Sequence, residues 1–134
     1  MNPVAIVHLI VATIIMVSAL PLVAGRVKMN PWYGVRIPEA FVSDQRWFEI
    51  NRYGGRLLLF WGAALEATAI FGAFIKHENW VAYDWTALGV VLVGLVIVIV
   101  LIYSYARKTK APNQSPDPVP APGTPPAGQE SRHG

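Results

Sequence analysis

Three long stretches of the chain lack the polar interruptions of a water-facing helix or strand. Pro3 to Ala24 is built mostly from Ile, Val, Leu and Ala, broken by His8, Thr13, Ser18 and Pro21. Leu57 to Ile75 carries one charge, Glu66. Thr86 to Tyr105 carries none, and Val90 to Ile102 within it is broken only by Gly94. A hydrocarbon core of ~30 Å takes about 20 residues of helix at ~1.5 Å each, and all three stretches meet that length. Strands of that length are uncommon, and open strand edges are not tolerated in lipid. The pattern predicts an all-α membrane protein with three transmembrane helices, over about 3–24, 57–75 and 86–105.

The segments between and after the spans have different characters. The first connection, 25–56, is long for a helical bundle, where such links usually take ~2–8 residues, and it is rich in structure-forming residues. The second is short, and its stretch from Glu78 to Asp84 reads as a solvated acidic link. From 111 to 134 there are seven prolines among 24 residues and few large apolar side chains. Such a segment cannot build a core, so a disordered Pro-rich tail is expected after a membrane domain over 1–110.

Composition sharpens this picture. Of 134 residues, 54% are hydrophobic and 14% charged, against about 25% charged in an average soluble domain. Residues 1–24 and 85–106 hold no charged side chain at all. With no cysteine there is no disulfide framework and no Cys-ligated metal site. The first span has no Lys or Arg before it and exceeds the usual ~7–15-residue apolar run of a signal peptide, so it reads as a retained span. The net charge of +3 is explained by where the basic residues fall. The first connection holds Arg26, Lys28, Arg36, Arg46, Arg52 and Arg56; the C-terminal segment holds Arg107, Lys108, Lys110 and Arg132; the second connection holds only Lys76. The positive-inside rule then puts the N-terminus outside and the C-terminus in the cytoplasm. Trp32 and Tyr33, Trp80, Tyr83 and Trp85, and Tyr103 and Tyr105 fall where interfacial aromatic belts belong. Nucleic-acid binding loses its motive.

Within the first connection, Met29 to Gly34 reads as a turn, with Pro31 restricting Asn30 and Gly34 suited to a positive φ. Val35 to Pro38 continues extended, and Ser43 is a good N-cap for a short helix. That helix is expected to present Trp47, Ile50, Tyr53 and Gly54 to the membrane and Glu49, Arg52 and Arg56 to water or headgroups. Gly54-Gly55 then marks either a bend into the second span or a close helix crossing.

The string Asn30-Pro-Trp-Tyr-Gly-Val-Arg36-Ile-Pro38, followed by Ser43, Trp47, Asn51-Arg52 and Gly55, resembles the signature of the SdpI family of bacterial membrane proteins. The family pattern is roughly Pro-Asn-x-x-Tyr-Gly-x-Arg-Thr, a gap containing Ser, then Trp-x-x-x-Asn-Arg-x-x-Gly ahead of a span. This sequence departs from it at Ile37 and in the order Asn30-Pro31. The resemblance implies a binding or immunity module of the bacterial cytoplasmic (inner) membrane. The family's named member protects a cell from its own secreted toxic peptide and relays the toxin signal by holding a repressor at the membrane. Its motif falls here on Tyr33, Gly34, Arg36, Trp47, Asn51, Arg52 and Gly55. Arg36 and Arg52 are fork-shaped donors suited to a peptide carboxylate, a lipid phosphate or the acidic loop of a partner. The structural alternative is that Arg36 pairs with Glu49 or caps the helix, fixing the loop to the bundle.

Three polar residues inside the spans stand out, Glu66, Thr13 and His8. Glu66 falls nine residues into the second, about 13–14 Å deep, where a charged group costs ~2.5–3.5 kcal/mol or more. Gly62, Ala69 and Ala73 share its face and offer a smooth groove to another helix. Thr13 lies at similar depth on the first span and is placed to hydrogen-bond Glu66, whereas His8 lies about 9 Å nearer the outside. Helix association, proton relay and ligand contact are open to Glu66, alongside a neutral interhelical hydrogen bond. His8, His77 and His133 do not form a metal-ligand spacing, and no Gly-rich phosphate loop or nucleophile elbow occurs. No enzyme, no cofactor and no metal are expected. Partners would be membrane lipid, a toxic peptide or a membrane protein, a second copy of the chain included. The rival functions are a small transporter or channel subunit using Glu66, and an accessory subunit of a larger membrane complex.

Overall fold

A computed structural model of the chain describes residues 2–109. The expected Pro-rich tail, 111–134, lies outside the described residues. The described chain is all-helical, with three helices long and apolar enough to cross a membrane. They are α1 (Pro3–Val23), α2 (Asp44–Phe74) and α3 (Trp80–Lys108), with one-turn 3-10 segments at Pro38–Ala40 and His77–Asn79.

α1 starts where Asn2 caps it, its side-chain oxygen accepting the Val4 N–H at 2.7 Å, with Pro3 at the first helical position. It ends at Gly25, whose φ of +66° closes the last turn with its N–H on the Leu22 carbonyl at 3.1 Å. α2 starts at Ser43, whose hydroxyl accepts the Arg46 N–H at 3.2 Å. From there it runs 31 residues without a break. That is about 46 Å, well beyond the ~30 Å a span requires.

This continuity corrects two expectations. There is no separate short helix before the second span: residues 44–56 are the opening turns of α2 itself. Nor do Trp47, Ile50 and Gly54 turn to lipid; all three are buried. Gly54 and Gly55 mark a close crossing. A side chain at Gly54 would run into Val35 and Ile102, and one at Gly55 into Leu22 and Val23. The second connection also differs from expectation. α3 begins at Trp80, so Asp84 sits inside a helix and accepts a hydrogen bond from Asn2 Nδ2 at 2.9 Å. The pairing of Asp84 with Asn2, 82 residues away, is a tertiary contact that no local composition signals.

α2 is the central helix, with α1 and α3 each packed along it. Small residues set the close approach of α1 and α2: Ala12 and Ala19 are fully buried, and Gly62 lies against Met16 and the Ala12 carbonyl. On the other side Gly94 makes room for the Trp61 indole and Gly72 for the Tyr83 ring. α1 and α3 meet at the end away from the long loop, where Ala5, Tyr83 and Ala87 form a small buried cluster beside the Asn2–Asp84 bond. The larger cluster sits at the loop end, where Ile37 and Ala40 pack on Trp47 and Ile50 of α2 and on Val98, Ile102 and Ala106 of α3.

Candidate functional site

The loop between α1 and α2 is built around Asn30. Its side-chain oxygen accepts the N–H groups of Trp32 and Tyr33 at 2.9 and 2.8 Å, and its amide donates to the Lys28 carbonyl at 2.8 Å. This is the turn chemistry for which Asn is selected. Tyr33 reaches back to α1, its hydroxyl donating to the Ser18 carbonyl. Gly34 takes a φ of +110°, a conformation open to glycine, and a Cβ there would strike the Asn51 side chain.

Trp47 and Asn51, one helical turn apart, receive this loop. The Trp47 indole is fully buried and donates to the Val27 carbonyl at 2.8 Å. The Phe41 ring lies tilted against it, 5.2 Å between centroids. Asn51 is 2% exposed and satisfied on both sides, accepting the Val35 N–H at 2.6 Å and donating to the Trp47 carbonyl at 2.9 Å. A buried amide with both ends paired holds a segment in one register. Gly34, Trp47 and Asn51 therefore fold the loop onto the bundle, while Gly55 lets the end of α1 cross close to α2.

The two arginines of the motif face outward. Arg36 is exposed and donates to the Pro31 carbonyl, inside its own loop. The expected Arg36–Glu49 pair is absent, because Arg46 occupies Glu49: Nη1 lies 3.3 Å from Oε2 one turn away. Arg52 is exposed beside Gly25, where any Cβ would meet its guanidinium. Arg52, Arg56, Gln45, Phe48, Tyr53 and Tyr105 border an open groove of about 630 Å³.

Arg46 is a residue that sequence reasoning missed. Only 6% exposed, it donates through Nη2 to the Ala106 carbonyl at 2.9 Å and through Nη1 to Thr109 Oγ1 at 2.8 Å. It thereby ties the start of α2 to the end of α3, satisfying a terminal carbonyl that the helix leaves free. Its charge at the C-terminus of α3 is also favourable to that helix's dipole. The one signal available was an arginine immediately before a buried tryptophan in the first turn of a helix.

Within the spans, Thr13 Oγ1 lies 2.9 Å from the Leu9 carbonyl and 3.3 Å from Glu66 Oε1, and its single proton serves one of these acceptors at a time. Glu66 is half-buried. His8 is not part of that pair: its Nδ1 donates to the Val4 carbonyl at 2.8 Å, and its Nε2 is buried without a partner among the described residues.

No curated protein and no solved structure matched the chain. A family model did, that of the SdpI/YfhL protein family, over residues 26–104. The match takes in nearly all of the loop, the whole of α2 and most of α3. With well over half its length so matched, this three-helix membrane protein belongs to the SdpI/YfhL protein family.

Proposed function

We propose that the protein is a binding module of the SdpI type in a bacterial cytoplasmic membrane, acting in immunity to, or signalling of, a membrane-active toxic peptide, without catalysis. In this reading the N-terminus lies outside and the loop end faces the cytoplasm. The concentration of Lys and Arg in the loop and after α3, against Lys76 alone in the second connection, supports that orientation.

The division of labour inside the motif is the observation that carries the proposal. Gly34, Trp47 and Asn51 are consumed in holding the loop and Gly55 in the crossing with α1, while the side chains of Arg36 and Arg52 stand exposed, Arg36 with one N–H on the Pro31 carbonyl. A loop pinned by buried hydrogen bonds and presenting exposed guanidinium groups suits recognition of an acidic group better than chemistry on a substrate. The test is survival of sensitive bacteria expressing the protein under challenge with secreted membrane-active peptides, at matched membrane levels. Wild type is expected to protect, Arg36→Ala with Arg52→Ala to protect far less, and Lys108→Ala to protect normally. A well-inserted wild type that protects against none of the peptides overturns the proposal.

A second reading rests on Glu66, half-buried midway along an apolar helix with Thr13 as its hydrogen-bond partner. A transporter or channel subunit would use it as a proton or cation site in a homo-oligomer, since three helices hardly enclose a path. That reading requires pH-dependent flux in proteoliposomes, lost in Glu66→Gln.

A further inference from the structure

Arg52 and Arg56 lie one turn apart on α2, and Phe60, 76% exposed, follows one turn further along the same face. Both arginines are exposed, and among the described residues neither has a carboxylate within ion-pair distance. The groove they border holds one acid, Glu49. Its Oε2 is paired with Arg46 at 3.3 Å and its Oε1 accepts from Gln45 at 3.1 Å. The groove therefore presents two unmatched positive charges.

Its height in the membrane is set by the helices. The apolar run of α2 starts at Leu57 and that of α3 stops at Tyr105, so Arg52 and Arg56 stand at headgroup level. The back wall is the stacked pair Tyr53–Tyr105, with centroids 4.1 Å apart and planes 11° from parallel. Rings of this kind, apolar in body and polar at the tip, suit the membrane–water boundary. Gly25, with its positive φ, brings the end of α1 against the Arg52 guanidinium and narrows the space that head samples.

We infer that this groove is a headgroup site for an anionic phospholipid, with its phosphate held by Arg52 and Arg56 and an acyl chain running toward Phe60. The guanidinium fork matches phosphate oxygens in a bidentate way that ammonium does not. A lipid is favoured over a soluble phosphate because the two charges sit directly above exposed apolar helix surface, which only a molecule with both parts covers. The site goes beyond the immunity reading, with which it shares Arg52, and its test does not depend on that reading.

The experiment is native mass spectrometry of the full chain, purified in mild detergent and titrated with dioleoyl phosphatidylglycerol, dioleoyl phosphatidylcholine or glycerol 3-phosphate. Phosphatidylglycerol is expected to bind about tenfold tighter than phosphatidylcholine, as a charge-assisted pair of contacts gives, and glycerol 3-phosphate negligibly. Arg52→Gln with Arg56→Gln should abolish the preference, and Arg52→Lys with Arg56→Lys should restore only part of it. Arg107→Gln with Lys108→Gln, at the same end of the bundle, should leave it intact. Thermal unfolding of each variant in detergent reports whether it is folded. Equal binding of the two lipids, equal loss in the Arg107/Lys108 pair, or equally tight glycerol 3-phosphate each overturns the inference. Because the readout is lipid binding, it fails or holds independently of any toxin assay.

Discussion

The side-chain oxygen of Asn51, in the third turn of α2, accepts the backbone N–H of Val35 in the preceding loop at 2.6 Å. Sixteen residues of chain are pinned by that bond, and the Asn51 amide is itself held by the Trp47 carbonyl. Removing it strands a part-buried N–H. Asn51→Leu should therefore cost about 1–3 kcal/mol. Asn51→Asp keeps the acceptor and should retain more of the contact. Amide exchange at Val35 is the readout: protection surviving in the leucine variant would mean that the bond does not hold the loop.

Gly34 and Gly89 should respond to alanine in opposite ways. Gly34 has a φ of +110° and no room before Asn51, so Gly34→Ala is expected to destabilise by about 1–3 kcal/mol. Gly89 has open space around its Cβ position and ordinary helical geometry, so Gly89→Ala should be neutral or mildly stabilising. Thermal unfolding in detergent compares the two, and similar losses would contradict the positions assigned to these glycines.

Arg46 should matter more than any surface arginine. Arg46→Met leaves the Ala106 carbonyl without its side-chain donor and is expected to cost about 1–3 kcal/mol, the penalty of an unmade buried hydrogen bond, with the half-exposed Glu49 adding little. Arg107→Met, on an exposed residue, should cost under about 0.5 kcal/mol. Denaturant titration separates these values.

Thr13 and Glu66 are expected to be coupled. A double-mutant cycle of Thr13→Val and Glu66→Leu should give an interaction of about 0.6 kcal/mol, the average for polar pairs between membrane helices. Zero coupling, measured by reversible unfolding in mixed micelles, would remove Thr13 as the partner of Glu66.

Topology has an unusually clean test, since the chain contains no cysteine. Single substitutions Lys28→Cys, Glu78→Cys and Lys108→Cys should divide with a membrane-impermeant maleimide on intact cells. The proposed orientation expects labelling of Glu78→Cys alone. Labelling of the other two instead would reverse it.

Much of the architecture is legible in the chain itself. Hydrophobic stretches of this length have one satisfactory solution in lipid, because every backbone polar group must be paired within its own segment. The family, too, is written in a local order of residues from Asn30 to Gly55. Depth along a helix is additive in residue number, which is why the sequence itself puts Thr13 and Glu66 at one level. The roles inside the motif were not legible. Tyr33, Trp47 and Asn51 read equally well as ligand contacts or as struts, and only their partners, Ser18, Val27 and Val35, distinguish these.

The sequence alone, then, determined that there are three helices, roughly where they cross, and which end carries the positive charge, since each follows from composition over a contiguous window. Tertiary structure decided the rest. It fused the amphipathic segment at 44–56 to the second span, drew Asp84 into α3 and gave Glu49 to Arg46 in place of Arg36. The Asp84 contact joins residues 82 positions apart, a distance that spacing along the sequence does not encode. The other two follow from α2 running unbroken from Asp44: only on that continuous helix do Arg46 and Glu49 stand one turn apart, ahead of a loop arginine.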